Sequence, residues 1–241
     1  MRIISLLPSA TEIICALGLS ESLVGISHEC DYPAAISNRA KLTSSILQAG
    51  LDPAAVDAAV TVAAKQGQPI YSVDPHVMEA LSPDLIITQG VCDVCAVGEA
   101  TVRQSVECVL QPAGSVDVLS LTGVTFEGVL RDIGRVGEVT GHRSEARELV
   151  LKMQARWSAV GALPALARTP RVLMLEWPDP AWTAGHWVPE MVSLAGGVDV
   201  FGSAGGQSAR TSWSDIANAD PEIIISIACG HGVDKNLEFA R

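Results

Sequence analysis

His28 and Cys30 lie two residues apart in the phrase His28-Glu29-Cys30-Asp31-Tyr32-Pro33, and Cys92 and Cys95 form a CxxC pair. Imidazole and thiolate donors at such spacings suit zinc or another thiophilic metal. One CxxC alone carries little weight; an HxC on a second loop adds to it. Without a metal the same residues have plainer roles. Cys92 is then a small buried residue, Cys95 opens a helix and His28 bonds the backbone. A thiol at a helix N-terminus has a lowered pKa, which also makes Cys95 a candidate nucleophile. A second group surrounds His186. Residues 176–197 hold Trp177, Trp182 and Trp187, three of the five tryptophans in a chain that is only 4% aromatic. Indoles gathered in a Pro- and Gly-rich stretch either cap a core or hold a flat ligand. Cys229, in Ala228-Cys229-Gly230-His231, is a further candidate. No GxSxG and no GxGxxG is present, so neither a serine nucleophile nor a dinucleotide site is indicated.

The elements around these residues alternate. Apolar runs at 3–7, 23–27, 70–73, 85–88 and 116–119 are expected as strands. Helical patterns at 9–17, 52–66, 75–81 and from Cys95 to about Leu110 lie between them. Ser9 with Glu12 three residues on has the form of a capping box for the first helix. Strands alternating with helices specify a parallel sheet with covering helices. Residues 126–139 and 142–160 are expected as consecutive helices. A second α/β unit follows, with strands at 172–175 and 223–227 and helices at 188–194 and 213–218. The candidate residues all fall just after strands, the edge at which open parallel sheets bind ligands. The expected organisation is an α/β N-terminal lobe over 1–123, a helical linker over 124–169 and an α/β C-terminal lobe over 170–241. If the lobes face each other, their exit loops line one cleft.

Composition narrows the function class. The chain has 241 residues, 48% of them hydrophobic and 18% charged, with a net charge of −11. That balance describes a globular α/β protein and disfavours nucleic acid or an anionic membrane surface as partner. No run reaches the roughly 18–20 apolar residues that span a bilayer. The run at 3–7 stops at Pro8 and is too short for a signal-peptide core. As written, the chain is expected in the cytoplasm, or in the periplasm if a leader precedes it naturally. The six cysteines are then reduced thiols, with Cys15 and Cys108 as helical core residues.

Four phrases, ISLLPSATEIICALGL, LVGISHECDYP, VMEALSPDLIITQ and GHWVPEMVSLAGGVDVFG, resemble the periplasmic-binding-protein-like cobalamin and iron-siderophore binding proteins of ABC importers. The resemblance is greatest to the cobalamin-binding branch and covers nearly the whole chain. It implies two Rossmann-like lobes joined by a long helix, with ligand in the cleft and no enzymatic activity. It implies Pro8, Ser9 and Tyr32 as ligand contacts from the first lobe, and Trp177, Trp182, His186 and Trp187 from the second, with Cys229 near the cleft. The implied ligand is cobalamin or a related corrinoid. His28, Cys30, Cys92 and Cys95 remain candidate ligands for zinc or another thiophilic metal. The alternative function is a cytosolic metal or haem sensor; an enzyme with a cleft thiol ranks last. An ABC permease is the implied partner. The docking carboxylate expected on each lobe falls at His76 in the first and at Asp215 in the second. The chain ends soon after the strand at 223–227, where relatives continue, so the second lobe is expected to be incomplete or completed by a partner.

Overall fold

Short, wholly buried apolar runs become the central strands. The computed structural model describes residues 1–48, 50–91, 101–103, 105–106 and 116–240. The chain divides into two compact units. The first comprises Met1–Ala49, Val60–Gly123 and Val129–Leu151; the second comprises Gly50–Ala59, Val124–Gly128 and Lys152–Arg241. The stretch expected as a linker is therefore shared between the two. The first seven residues of the helix at 53–65 belong with the second unit, although they lie far from the rest of it in sequence.

In the first unit, β1 (Ile3–Ser5), β2 (Leu23–Ile26), β3 (Ala40–Lys41), β6 (Leu85–Gln89) and β7 (Asp117–Leu121) form a sheet in the order β3-β2-β1-β6-β7 among the described residues. Every pairing in it is parallel. The chain leaves β1 for β2 on one side and later returns to β6 on the other. The carboxyl ends of β1 and β6 thus form a topological switch point, the place where such sheets open a crevice. Ile4, Leu6, Leu42, Met78, Ile86 and Val102 are buried together in the core. β4 (Thr43–Ser45) and β5 (Tyr71–Val73) pair antiparallel as a separate ribbon.

Helix α1 (Pro8–Ala16) begins earlier than the capping-box reading placed it. Leu7 is its N-cap, with no side-chain cap, and Pro8 occupies the first turn. Proline has its φ already set for that position and loses no needed N–H there, so it displaces Ser9 from the cap into the helix. Helix α2 (Pro53–Lys65) and helix α3 (Pro75–Leu81) follow the expected bounds closely. Asp74 caps α3, its carboxylate accepting the N–H groups of His76 and Val77. The helix expected from Cys95 to Leu110 lies mostly outside the described residues.

Helices α4 (Phe126–Thr140) and α5 (Arg143–Gly161) form where the sequence pattern predicts consecutive helices, and α5 is a long helix of 19 residues. Gly141, at φ +76°, supplies the left-handed residue that ends α4. Phe126 stacks on Trp157 with ring centroids 3.9 Å apart.

In the second unit, β8 (Arg171–Pro178) is the central strand. It pairs parallel with β10 (Val198–Asp199) and β12 (Ile223–Ser226), and antiparallel with β9 (Ala181–Thr183). β9 continues to β11 (Ala209–Arg210), also antiparallel. The Trp-rich stretch is therefore not an irregular exit loop. Its first half is a β-hairpin in which Trp177 and Trp182 are direct cross-strand partners. Aromatic side chains suit paired strands, and Asp179-Pro180 supplies turn residues. Helix α6 (Val188–Leu194), α7 (Trp213–Ala219) and a terminal α8 (Val233–Phe239) complete the described elements. Phe126 N–H, at the start of α4, donates to Glu190 Oε2 of α6 at 2.7 Å, a carboxylate at a helix N-terminus.

Candidate functional site

The first unit gathers its polar candidates at the exits of β1 and β2. Pro8 and Ser9 form the first turn of α1, with Ser9 exposed. Tyr32 follows β2 and is 65% exposed. Between them His28 is held on several sides. Its Nδ1 lies 2.6 Å from Thr43 Oγ1, and its backbone N–H donates to the same oxygen at 2.9 Å. Thr43 Oγ1 in turn meets Ser27 Oγ at 3.0 Å. Lys41 Nζ donates to the His28 carbonyl at 3.1 Å. Ser27 and Thr43 are both buried. The other ring nitrogen is different. Glu29 Oε1 lies 3.1 Å from Nε2, but off the axis on which a ring nitrogen makes a hydrogen bond. Nε2 is thus buried without a hydrogen-bond partner. His28, Glu29, Thr43, Ser44, Ser45, Leu47 and Tyr71 line a pocket of about 410 Å³.

Cys30 does not join this group as a metal ligand. Its side chain is buried, with Sγ 3.1 Å from Thr11 Oγ1, while His28 faces Thr43. Burial pushes the Cys30 thiol above its usual range, outweighing the hydrogen bonds from Thr11 and Ser27. A thiol kept protonated by desolvation is a poor metal ligand and a poor nucleophile. Cys92 and Cys95 lie outside the described residues, as does Cys108. Among the described residues no three His, Cys, Asp or Glu side chains converge as a metal site. The zinc expectation is without support here. Cys30 is accordingly expected to resist alkylation by iodoacetamide in the native protein at pH 8, whereas exposed Cys229 reacts. Peptide mapping by mass spectrometry before and after unfolding in urea checks this.

In the second unit the tryptophans have separate environments. Trp177 Nε1 donates to the Pro53 carbonyl at 3.0 Å, and Trp182 Nε1 donates to Asp57 Oδ1 at 3.2 Å. Both acceptors lie in the first turns of α2. The Trp177 ring also lies 5.8 Å from His231 and 6.3 Å from Phe239, centroid to centroid. His231 thus belongs to an aromatic cluster with α8. Trp187 is 40% exposed, with His186 beside it at 6.0 Å. His186 has φ +56°, a left-handed backbone that histidine tolerates better than most side chains. It is pinned there: its N–H donates to the Gly206 carbonyl at 2.6 Å, and its carbonyl accepts from Gly205 at 2.9 Å. The sequence reading did not find Thr43, Ser27 or Tyr71, nor the α2 residues that engage the indoles.

The sequence profile of the family described as "Periplasmic binding protein" matches residues 3–239. The chain belongs to this family. Its members are solute-binding proteins, not enzymes. The vitamin B12-binding protein of Vibrio cholerae serotype O1 is 25% identical over 242 residues, covering 95% of this chain and 73% of the relative. Among solved structures, the periplasmic vitamin B12 binding protein of Vibrio cholerae superposes with a TM-score of 0.65 at 20% identity, over 93% of this chain and 75% of the other. The periplasmic heme-binding protein RhuT from Roseiflexus sp. RS-1 gives 0.69 at 21% identity, over 98% and 81%. A possible iron-binding periplasmic protein from Staphylococcus epidermidis gives 0.66 at 22%, over 93% and 76%. At these identities the structural likeness establishes the α/β periplasmic-binding fold. The expectation of a cytoplasmic protein finds no support in a family described as periplasmic. No helix among the described residues is long and apolar enough to cross a membrane.

Proposed function

We propose that this periplasmic-binding-family chain binds a metal-centred tetrapyrrole, with cobalamin as the first candidate, on its strand-exit loops. The relative named as a vitamin B12-binding protein, matched over 95% of the chain, carries this reading. The switch-point geometry of the first unit supports it: Pro8, Ser9, His28 and Tyr32 share the edge where such sheets take ligands. A large flat ligand gains most from stacking on exposed aromatic faces. Tyr32 in the first unit and Trp187 in the second are the exposed aromatic candidates; Trp177 and Trp182 are half-buried. Pro8 and Ser9 would bond or pack at the ligand periphery, and His186 and Cys229 are secondary candidates. Delivery of the ligand to an ABC permease is part of the reading, as a solved neighbour from Listeria monocytogenes is an ABC transporter substrate-binding protein. Haem is the second reading, favoured by the heme-binding neighbours.

Tyr32→Ala is expected to weaken cobalamin binding about tenfold, in line with an aromatic contact of roughly 1–1.5 kcal/mol. Its melting temperature should stay at the wild-type value, because the ring is exposed. Calorimetric titration with cobalamin measures the first and thermal unfolding the second. Wild-type affinity in both Tyr32→Ala and Trp187→Ala would refute the exit-loop placement.

A further inference from the structure

We propose that the first two turns of α2 act as an intramolecular competitor for the ligand. In the free protein they occupy the indole N–H groups of Trp177 and Trp182, and a ligand bearing acceptor oxygens displaces them, with Asp57 as the latch. This rests on the reading above that the chain binds a ligand at its strand exits.

Three observations converge on it. First, one segment engages both indoles. Trp177 Nε1 donates to the Pro53 carbonyl at 3.0 Å, and Trp182 Nε1 donates to Asp57 Oδ1 at 3.2 Å. Trp177 and Trp182 are cross-strand partners, so their side chains leave the hairpin on one face, about 5 Å apart at their bases. Pro53 and Asp57 are separated by one helical turn, about 5.4 Å. The two spacings match, and α2 satisfies both donors at once. Second, the segment buries nothing of its own. Gly50–Ala59 packs with the second unit, yet none of its residues is buried; the buried residue of α2 is Ala63, beyond it. Alanine side chains give up little apolar surface on leaving, and a segment with so few buried contacts belongs to the low-stability end of a molecule. Third, α2 is capped from within. Ala55 N–H donates to Asp52 Oδ1 at 2.7 Å, and Val56 N–H donates to the Asp52 carbonyl at 3.0 Å. The helix therefore leaves the indoles without opening its own first turn.

The exchange is balanced at each polar atom. On release, water takes over the Asp57 carboxylate and the free lone pair of the Pro53 carbonyl. The indole donors still need acceptors, because a desolvated N–H left unpaired is costly. Whatever replaces α2 must offer what α2 offered, two acceptor oxygens of amide or carboxylate type. The peripheral amides of a corrinoid and the propionates of a haem both carry such oxygens. The Trp177 ring also packs near His231 and Phe239, so its N–H edge, not its face, changes partner. Apparent affinity is reduced by the fraction of molecules in which α2 holds the indoles. Asp57 acts through Trp182 and is not itself a ligand contact.

Calorimetric titration of the full chain with cobalamin, and with hemin in parallel, tests this. Asp57→Ala should bind roughly 2- to 10-fold more tightly, as loss of one net hydrogen bond from the competing state requires. Asp57→Asn keeps an acceptor oxygen and should return to the wild-type affinity. In a Trp182→Phe background, where the donor is gone, Asp57→Ala should change affinity by less than about twofold, because the two residues act as a coupled pair. A merely structural Asp57 would give the opposite sign, weaker or equal binding with a lower melting temperature. The indole N–H resonances of isotope-labelled protein add a direct readout: that of Trp182 should move in ligand-free Asp57→Ala, and both should move when cobalamin is added to the wild type. Unchanged or weaker binding by Asp57→Ala, or an equal gain in the Trp182→Phe background, would overturn the competitor role and leave the ligand reading standing. Failure of both the wild type and Asp57→Ala to bind cobalamin or hemin would overturn the two together.

Discussion

Ile86→Ala is expected to lower the unfolding free energy by roughly 2–5 kcal/mol, the range for truncating a fully buried aliphatic side chain. Ile86 is 0% exposed. It sits in β6 between Ile4 of β1 and Val118 of β7, each its direct register partner. Met78 of α3 and Leu42 belong to the same buried cluster. The cavity would open in the middle of a sheet whose neighbours are fixed by ladder hydrogen bonds, so little relaxation is available. Urea unfolding should show a lower midpoint with an unchanged slope. Val62→Ala is the contrast. Val62 is 52% exposed on α2, and its loss should stay within about 0.5 kcal/mol. Equal effects of the two would mean that the β1–β6–β7 packing is wrong.

Gly185→Ala is expected to cost on the order of 1–3 kcal/mol and to disturb the second unit's candidate residues as well. An alanine Cβ there would lie 2.4 Å from Ser208 N, 2.5 Å from Gln207 C and 2.7 Å from the Gly206 carbonyl oxygen. All three are backbone atoms, so no side chain can swing away to make room. The 206–208 segment must retreat, and it carries the bond from His186 N–H to the Gly206 carbonyl. Losing that bond frees His186 from its left-handed backbone and releases the start of α6, where Trp187 sits. Stability and cobalamin affinity should therefore fall together, unlike Tyr32→Ala, which lowers affinity alone. Thermal unfolding paired with calorimetric titration of both variants separates the two patterns.

Much of this architecture is legible because local chemistry and global packing agree. β1, β6, α3 and α6 fall where apolar runs are bounded by Pro, Ser or Gly, and their burial matches that pattern. Three features escaped. Pro8 competed with Ser9 for the start of α1, and the fixed φ of proline won. The β8–β9 hairpin was hidden because Trp177 and Trp182 read equally well as loop aromatics; only strand pairing distinguishes the two. Helix α8 carries Val233, 77% exposed, and Leu237, 53% exposed, so its residues lack the buried face that marks a helix in sequence.

The candidate site was legible at its first residues and not at its supports. His28 and Tyr32 announce themselves in one short phrase. Thr43 and Tyr71 reach His28 only because β4 and β5 pair as a ribbon, a long-range event that no local pattern encodes. Conversely, Cys30 looked like a partner for His28 by spacing, but its own contact with Thr11 takes it into the core. The indoles of Trp177 and Trp182 bond Pro53 and Asp57, more than a hundred residues earlier, for the same reason.

One titration tests the central claim most directly. Wild-type protein at a fixed concentration is titrated with cobalamin while heat and visible absorbance are recorded, with hemin in a parallel series. The account predicts saturable binding of at least one of them at a single site, with the metal-centred absorption band shifting in step with the heat. Absence of saturable binding by either ligand, in protein shown to be folded by its cooperative thermal transition, would contradict it.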